Sequence, residues 1–209
     1  MPTMTIFSQG AGGPDLYFCA DHGEAEQVYA LLSQATDAPF RLLAFHVEDW
    51  NRDLSPWPAP PVFRDQAFAG EADKTLKWLK DNIDPSVGRR CVGGYSLAGL
   101  FSLWAFYETG LFQGAVSCSG SLWFPGWIDY AQAKSAPQGS VLYLSLGEKE
   151  PKARNPQMAQ VGVCTEKQFA LAQSQGLQTE FRWHPGGHFQ DPEARMAAGF
   201  KWVLEAFNG

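Results

Sequence analysis

Residues 91–100 read CVGGYSLAGL, with Ser96 set between small residues. The run before it reads as a buried strand and the run after it as an apolar helix. A sharp strand-to-helix elbow lifts a serine hydroxyl clear of a sheet, and small residues two before and two after the serine allow the close packing this needs. Those positions are Gly94 and Ala98, followed by Gly99, so the pattern is G-x-S-x-A where G-x-S-x-G is usual. The competing reading is a structural hydroxyl in a glycine-rich turn. A dinucleotide site would carry G-x-G-x-x-G after the strand, which GGYSLAG does not supply.

A serine hydroxyl becomes a nucleophile only when a base takes its proton. The chain has four histidines. His46 lies within a strand-like run, and His22 comes early in the chain. His184 and His188 share RWHPGGHF near the end. His184 falls on the last strand, whereas Gly186 and Gly187 let the chain loop over the strand end and return His188 toward Ser96. His188 is therefore the expected base and His184 the lesser candidate. An acid to orient the imidazole is expected after the preceding strand, where LSLGEKEPKARNP offers Glu150 and, as an alternative, Glu148. Both can also be read as solvated loop charges, which leaves a dyad without a carboxylate open. Acyl transfer further needs two donors for an oxyanion. One is expected from the backbone N–H of Leu97, the other from the loop near His22 or Gly23.

These residues need a scaffold that brings strand ends together. DLYFCA (15–20), RLLAFHV (41–47), RRCVGG (89–94), FQGAVSCS (112–119), SVLYLSL (140–146) and TEFRWH (179–184) read as strands. Helical spacing recurs between them: Val28, Leu31, Leu32 and Ala35; then 70–83; the apolar run from Leu97; short stretches near 127–134 and 165–175; and a last helix with Met196, Phe200, Val203, Leu204 and Phe207 in register. Alternating strands and helices predict a doubly wound, mostly parallel α/β sheet. In such sheets ligands bind beyond the carboxyl ends of the strands. The polar and unusual residues fall there, while the opposite loops carry nothing comparable.

SGSLWFPGW and DWNRDLSPWP bring tryptophans to the same edge. Trp123, Trp50 and Arg154 are the candidate substrate-binding residues. Trp57, Phe124 and Trp127 are weaker candidates, since tryptophan often plugs a core edge. Asn51, Arg52 and Asp53 read as turn and capping residues. Aromatic walls with few polar groups suit an apolar or aromatic ester moiety.

Composition narrows the classes. A chain of 209 residues, 45% hydrophobic and 18% charged, can bury a substantial core. The net charge of −6, with no Lys/Arg cluster, argues against a nucleic-acid partner. No apolar run reaches the length of a membrane span. The N-terminal MPTMTIFSQGAGG has no basic start and no apolar run of secretory length, so a soluble cytoplasmic protein is expected. The four cysteines form no C-x-x-C pair and have no matching histidine set, so they read as reduced core thiols, with no metal expected.

With GGYSLAG, SCSGSLWF, LSLGEKE and HPGGHF in that order, the chain resembles the α/β-hydrolase superfamily. It looks closest to the esterase D-like branch that includes enterochelin esterases. The resemblance implies one α/β-hydrolase-like domain over residues 1–209 and a serine esterase cycle on a small-molecule ester, with no cofactor and no large cap. Acyl transfer or thioester cleavage by the same residues, or a non-catalytic ligand-binding relative, are the alternatives. Two departures stand out: Ala98 at the elbow, and a chain short enough that the leading antiparallel strands are expected to be missing.

Overall fold

Strands that are apolar on both faces need helices on both sides of the sheet. The computed structural model, which describes residues 2–21, 23–62 and 66–208, has that arrangement. The first part of the chain forms β1 (Thr3–Gln9), β2 (Asp15–Cys19), α1 (Glu24–Ala35), β3 (Phe40–His46), the single turn α2 (Trp50–Asp53), the two-residue strands β4 (Pro58–Ala59) and β5 (Phe68–Ala69), and α3 (Ala72–Asp81). The second part forms β6 (Arg90–Tyr95), α4 (Leu97–Glu108), β7 (Gly114–Cys118), α5 (Trp127–Gln132), β8 (Val141–Gly147), α6 (Val161–Ser174), β9 (Gln178–His184) and α7 (Pro192–Asn208).

Seven strands make one sheet in the order β1-β3-β2-β6-β7-β8-β9. All neighbours are parallel except β1, which runs antiparallel to β3. Side chains alternate across the sheet: on β2, Leu16 and Phe18 join the core under α1 and α7, while Tyr17 and Cys19 join the core under α3, α4 and α6. The fold is thus the expected doubly wound α/β sheet.

One expectation is corrected. A leading antiparallel strand is present, and it is β1. None of its residues is buried and Ile6 is 55% exposed, so it lacks the apolar run that marks the interior strands. The β4–β5 ribbon and α2 are too short to leave any periodic signal.

α4 follows the Ser96 elbow and is buried from Leu97 to Tyr107. Such an all-round apolar helix belongs in a core. α7 packs on the opposite face, where the Phe200 ring lies over Gly93 so closely that a Cβ there would sit 2.6 Å from it. Phe200 also meets Phe18 edge-on at 5.8 Å. Cys19, Cys91 and Cys118 are buried, Cys164 is partly so, and all four are unpaired. Among the described residues no helix is long and apolar enough to cross a membrane.

Phe200→Ala is expected to cost about 3–5 kcal/mol of unfolding free energy. The urea midpoint should fall at unchanged slope. A loss below about 1 kcal/mol would contradict this docking of α7.

Candidate active site

The elbow is built by close approach. Ser96 joins β6 to α4 with φ 56° and ψ −121°, a conformation rare for a residue with a side chain. Four backbone bonds hold it there. Its N–H donates to Cys118 O at 3.1 Å, and its carbonyl accepts from Gly99, Leu100 and Ser121 at 3.0, 3.2 and 2.9 Å. Gly94 carries the steric demand, since a Cβ there would lie 2.5 Å from the carbonyl carbon and oxygen of Ala98. Ala98 itself is fully buried and its methyl is accommodated, so G-x-S-x-A builds the same turn.

The histidine and the acid arrive on two turns that are tied together. Beyond β8, the Glu148 N–H donates to His184 O and the Lys149 N–H to Gly186 O, each at 2.9 Å. The β9 loop then turns at Gly186, with φ +90°, and brings His188 over the elbow. His188 Nε2 lies 3.0 Å from Ser96 Oγ, and Nδ1 lies 2.8 Å from Glu150 Oε2. Tyr95, the residue before the serine, donates from its hydroxyl to His188 O at 2.7 Å and so fixes the loop from below.

Glu150 is the most constrained group of the site, its side chain only 5% exposed. Burial pushes its carboxyl toward protonation, but the bonds from His188 and Ser119, the His188 charge and the Gly147 N–H outweigh it, so the net shift is downward. Oε1 accepts from Ser119 Oγ at 2.6 Å and from the Gly147 N–H at 2.7 Å. The guanidinium of Arg195 on α7 stands 3.4 Å from the same oxygen. A carboxylate only accepts, so the ring proton of a neutral His188 sits on Nδ1 and leaves Nε2 open toward the serine.

A cavity of about 660 Å³ opens above Ser96, Glu150 and His188. The expected substrate-binding residues Trp123, Trp50 and Arg154 all stand in its wall, as does Leu97, the expected oxyanion donor. Phe68, Met158, Val161, Phe189, Lys149 and Asn155 stand there as well, and none of these was singled out by sequence. Phe189 is 92% exposed and meets the His188 ring edge-on at 5.0 Å. Asn51, read as a turn residue, also lines the cavity, while Arg52 and Asp53 pair with each other on α2 and Asp49 caps that helix.

Other candidates fall elsewhere. Glu148 is exposed, and His184 ends β9 with no hydrogen-bond partner for its Nε2. Trp127 is buried and bonded to Gln168, and Trp57 donates to Pro125 O. Phe124 is buried in the core. These aromatics support the fold. Gly23 heads α1 and is absent from the described cavity wall, and His22 lies outside the described residues. Sequence reasoning missed Ser119 and Arg195. The one signal for Arg195 is its place one turn before Gly199, on the buried side of α7.

No protein-family model and no curated protein matches the chain. Solved structures do. An IroE-like serine hydrolase from Shewanella oneidensis aligns at TM-score 0.75 and 14% identity, over 97% of this chain and 75% of that one. An enterochelin esterase from Shigella flexneri aligns at 0.71 and 18%, over 99% of this chain and 55% of that one. The enterobactin and salmochelin hydrolase IroE aligns at 0.63 and 17%, over 100% and 95%. The chain therefore shares the fold of these structures, and it spans about half the length of the Shigella protein.

The depressed Glu150 carboxyl links the site to stability. Because it binds a proton less readily folded than unfolded, its contribution is complete above its ordinary value of 4.5 and is lost as the pH falls through the lower folded value. Glu150→Gln is expected to flatten the acid-side decline of stability, read from urea midpoints between about pH 7 and pH 3. An unchanged acid-side slope would contradict the depression.

Proposed function

We propose that the chain is a serine hydrolase that cleaves a carboxylic ester through an acyl-enzyme on Ser96. The observation that carries this reading is the continuous contact from Ser96 Oγ through the two nitrogens of His188 to Glu150, at 3.0 and 2.8 Å. The names of its structural neighbours, hydrolases and esterases, agree with it.

In the first half-reaction His188 Nε2 takes the Ser96 proton as Oγ attacks the ester carbonyl. Glu150 holds the imidazole in place and stabilises its charged form. The Leu97 N–H is one of the first N–H groups of α4, which have no partner inside the helix, and it serves as an oxyanion donor. His188 then gives the proton to the departing alcohol. Water deprotonated by the same nitrogen attacks the acyl carbonyl and releases the acid, and Ser96 recovers its proton. The second oxyanion donor is assigned to the loop before α1, at His22 or Gly23.

The cavity indicates the kind of ester. Trp50, Phe68, Trp123, Met158 and Val161 form a broad apolar wall next to Ser96. Such a surface favours an apolar or aromatic moiety, while Arg154 and Lys149, both exposed, stand among its few charged residues.

Hydrolysis of p-nitrophenyl and phenylacyl esters is the direct test. Ser96→Ala and His188→Ala should each lower kcat by more than about 10³-fold. Trp123→Ala should raise KM for an aromatic ester with little change in kcat. Product analysis with added alcohols separates hydrolysis from acyl transfer. A Ser96→Ala protein as active as wild type would contradict the assignment.

A further inference from the structure

Arg195 contacts five groups behind the site, and the reaction above does not use it. It sits on the first turns of α7 with a side chain only 2% exposed. Nη1 lies 3.1 Å from Tyr95 Oη, 3.2 Å from Ser119 Oγ and 3.4 Å from Glu150 Oε1. Nη2 donates to Pro185 O and Gly187 O, both at 3.1 Å. Those two carbonyls belong to the loop that presents His188. Arg195 is absent from the described cavity wall, so it acts behind the site and not on a substrate.

We propose that Arg195 is the positioning residue of this site: one guanidinium grips the Glu150 carboxylate with one nitrogen and the His188 loop with the other, fixing acid and base relative to each other. The inference rests on the hydrolase reading above. A plain ion pair would need only the carboxylate. Here the planar fork spans two separate segments, which a lysine ammonium cannot do. Ser119 and Tyr95 complete the clamp, since Ser119 Oγ donates to Glu150 while Tyr95 Oη donates to His188 O.

The charge of Arg195 also acts on the pH dependence of Ser96. The titratable groups that share this space are His188, Tyr95 on β6, Cys118 on β7 and His184 at the end of β9. Burial pushes Tyr95 and Cys118 each up to about 12, so both stay neutral in the working range. Burial, then the charges of Arg195 and Arg182, hold His184 below the usual imidazole range. Lys149, beside Glu150 in the chain, lines the cavity. Without the Arg195 cation, Glu150 would protonate more readily, and while ionised it would hold a protonated His188 more tightly. Both effects move the acid limb of Ser96 reactivity to higher pH.

The test is the second-order rate of labelling by a fluorophosphonate between about pH 5 and pH 9, on wild type, Arg195→Met, Arg195→Lys and Ser119→Ala, with folding checked by circular dichroism. In Arg195→Met the acid limb should rise by about one pH unit or more. The plateau should fall roughly ten- to a hundredfold. Arg195→Lys keeps the charge and loses the fork, so its limb should stay near wild type while its plateau falls. Ser119→Ala should move the limb less than Arg195→Met does. A merely structural arginine would lower thermal stability and leave limb and plateau within twofold of wild type, and that result overturns the proposal. If Arg195→Met does not fold, the Arg195→Lys plateau decides: a fall supports the clamp and a wild-type plateau overturns it. An unlabelled wild type would instead overturn the hydrolase reading, and this inference with it.

Discussion

A carboxylate shut away from water must be surrounded by donors or it takes up a proton. Glu150 meets that demand with one group from its own turn, the Gly147 N–H at the end of β8, and with groups from three distant parts of the chain: the Ser119 hydroxyl beyond β7, Arg195 on α7 and the His188 ring on the loop after β9. Each donor fixes the segment that carries it. The ends of three neighbouring strands and the start of the last helix are thereby held at one point, directly below the cavity.

This convergence follows from the order of the strands. β6, β7, β8 and β9 lie side by side and parallel, so the segments that follow them emerge on one edge within reach of each other. The serine comes from the first, Ser119 from the second, Glu150 from the third and His188 from the last. Two of these residues have strained backbones. Ser96 and Ser119 both have positive φ, at 56° and 47°, and the surrounding hydrogen bonds hold them there. Strain of this kind, of order 1–3 kcal/mol per residue, persists where the neighbouring structure over-determines the turn.

What could be read from the sequence was set by how local each signal is. The interior strands are legible because both faces are apolar, and the elbow because Gly94 and Ser96 mark it within a few residues. His188 and Glu150 are legible as candidates because a chemically capable side chain follows a strand beyond a glycine. β1 was missed because an edge strand alternates weakly and borrows its order from β3. Arg195 was missed because an arginine is read by default as solvated, even at a position in register with Gly199 and Val203 on the side of α7 that packs on β7 and β8. Ser119 has an ordinary side chain in a run of small residues, and its role depends on a partner 31 positions away. The cavity wall draws on Met158, Val161 and Phe189 for the same reason, since the segment leading into α6 and the loop after β9 bring them together without any periodicity.

The proposed chemistry depends on the hydrogen bond between His188 Nδ1 and the buried Glu150 carboxylate, and proton NMR observes it most directly. A proton shared with a desolvated carboxylate resonates far downfield of the backbone amides. One such signal is expected in the folded wild type, retained in Ser96→Ala and lost in both His188→Gln and Glu150→Gln. A well-folded wild type without that resonance at any pH where it is stable, or a resonance that survives Glu150→Gln, would contradict the arrangement on which the proposed chemistry depends.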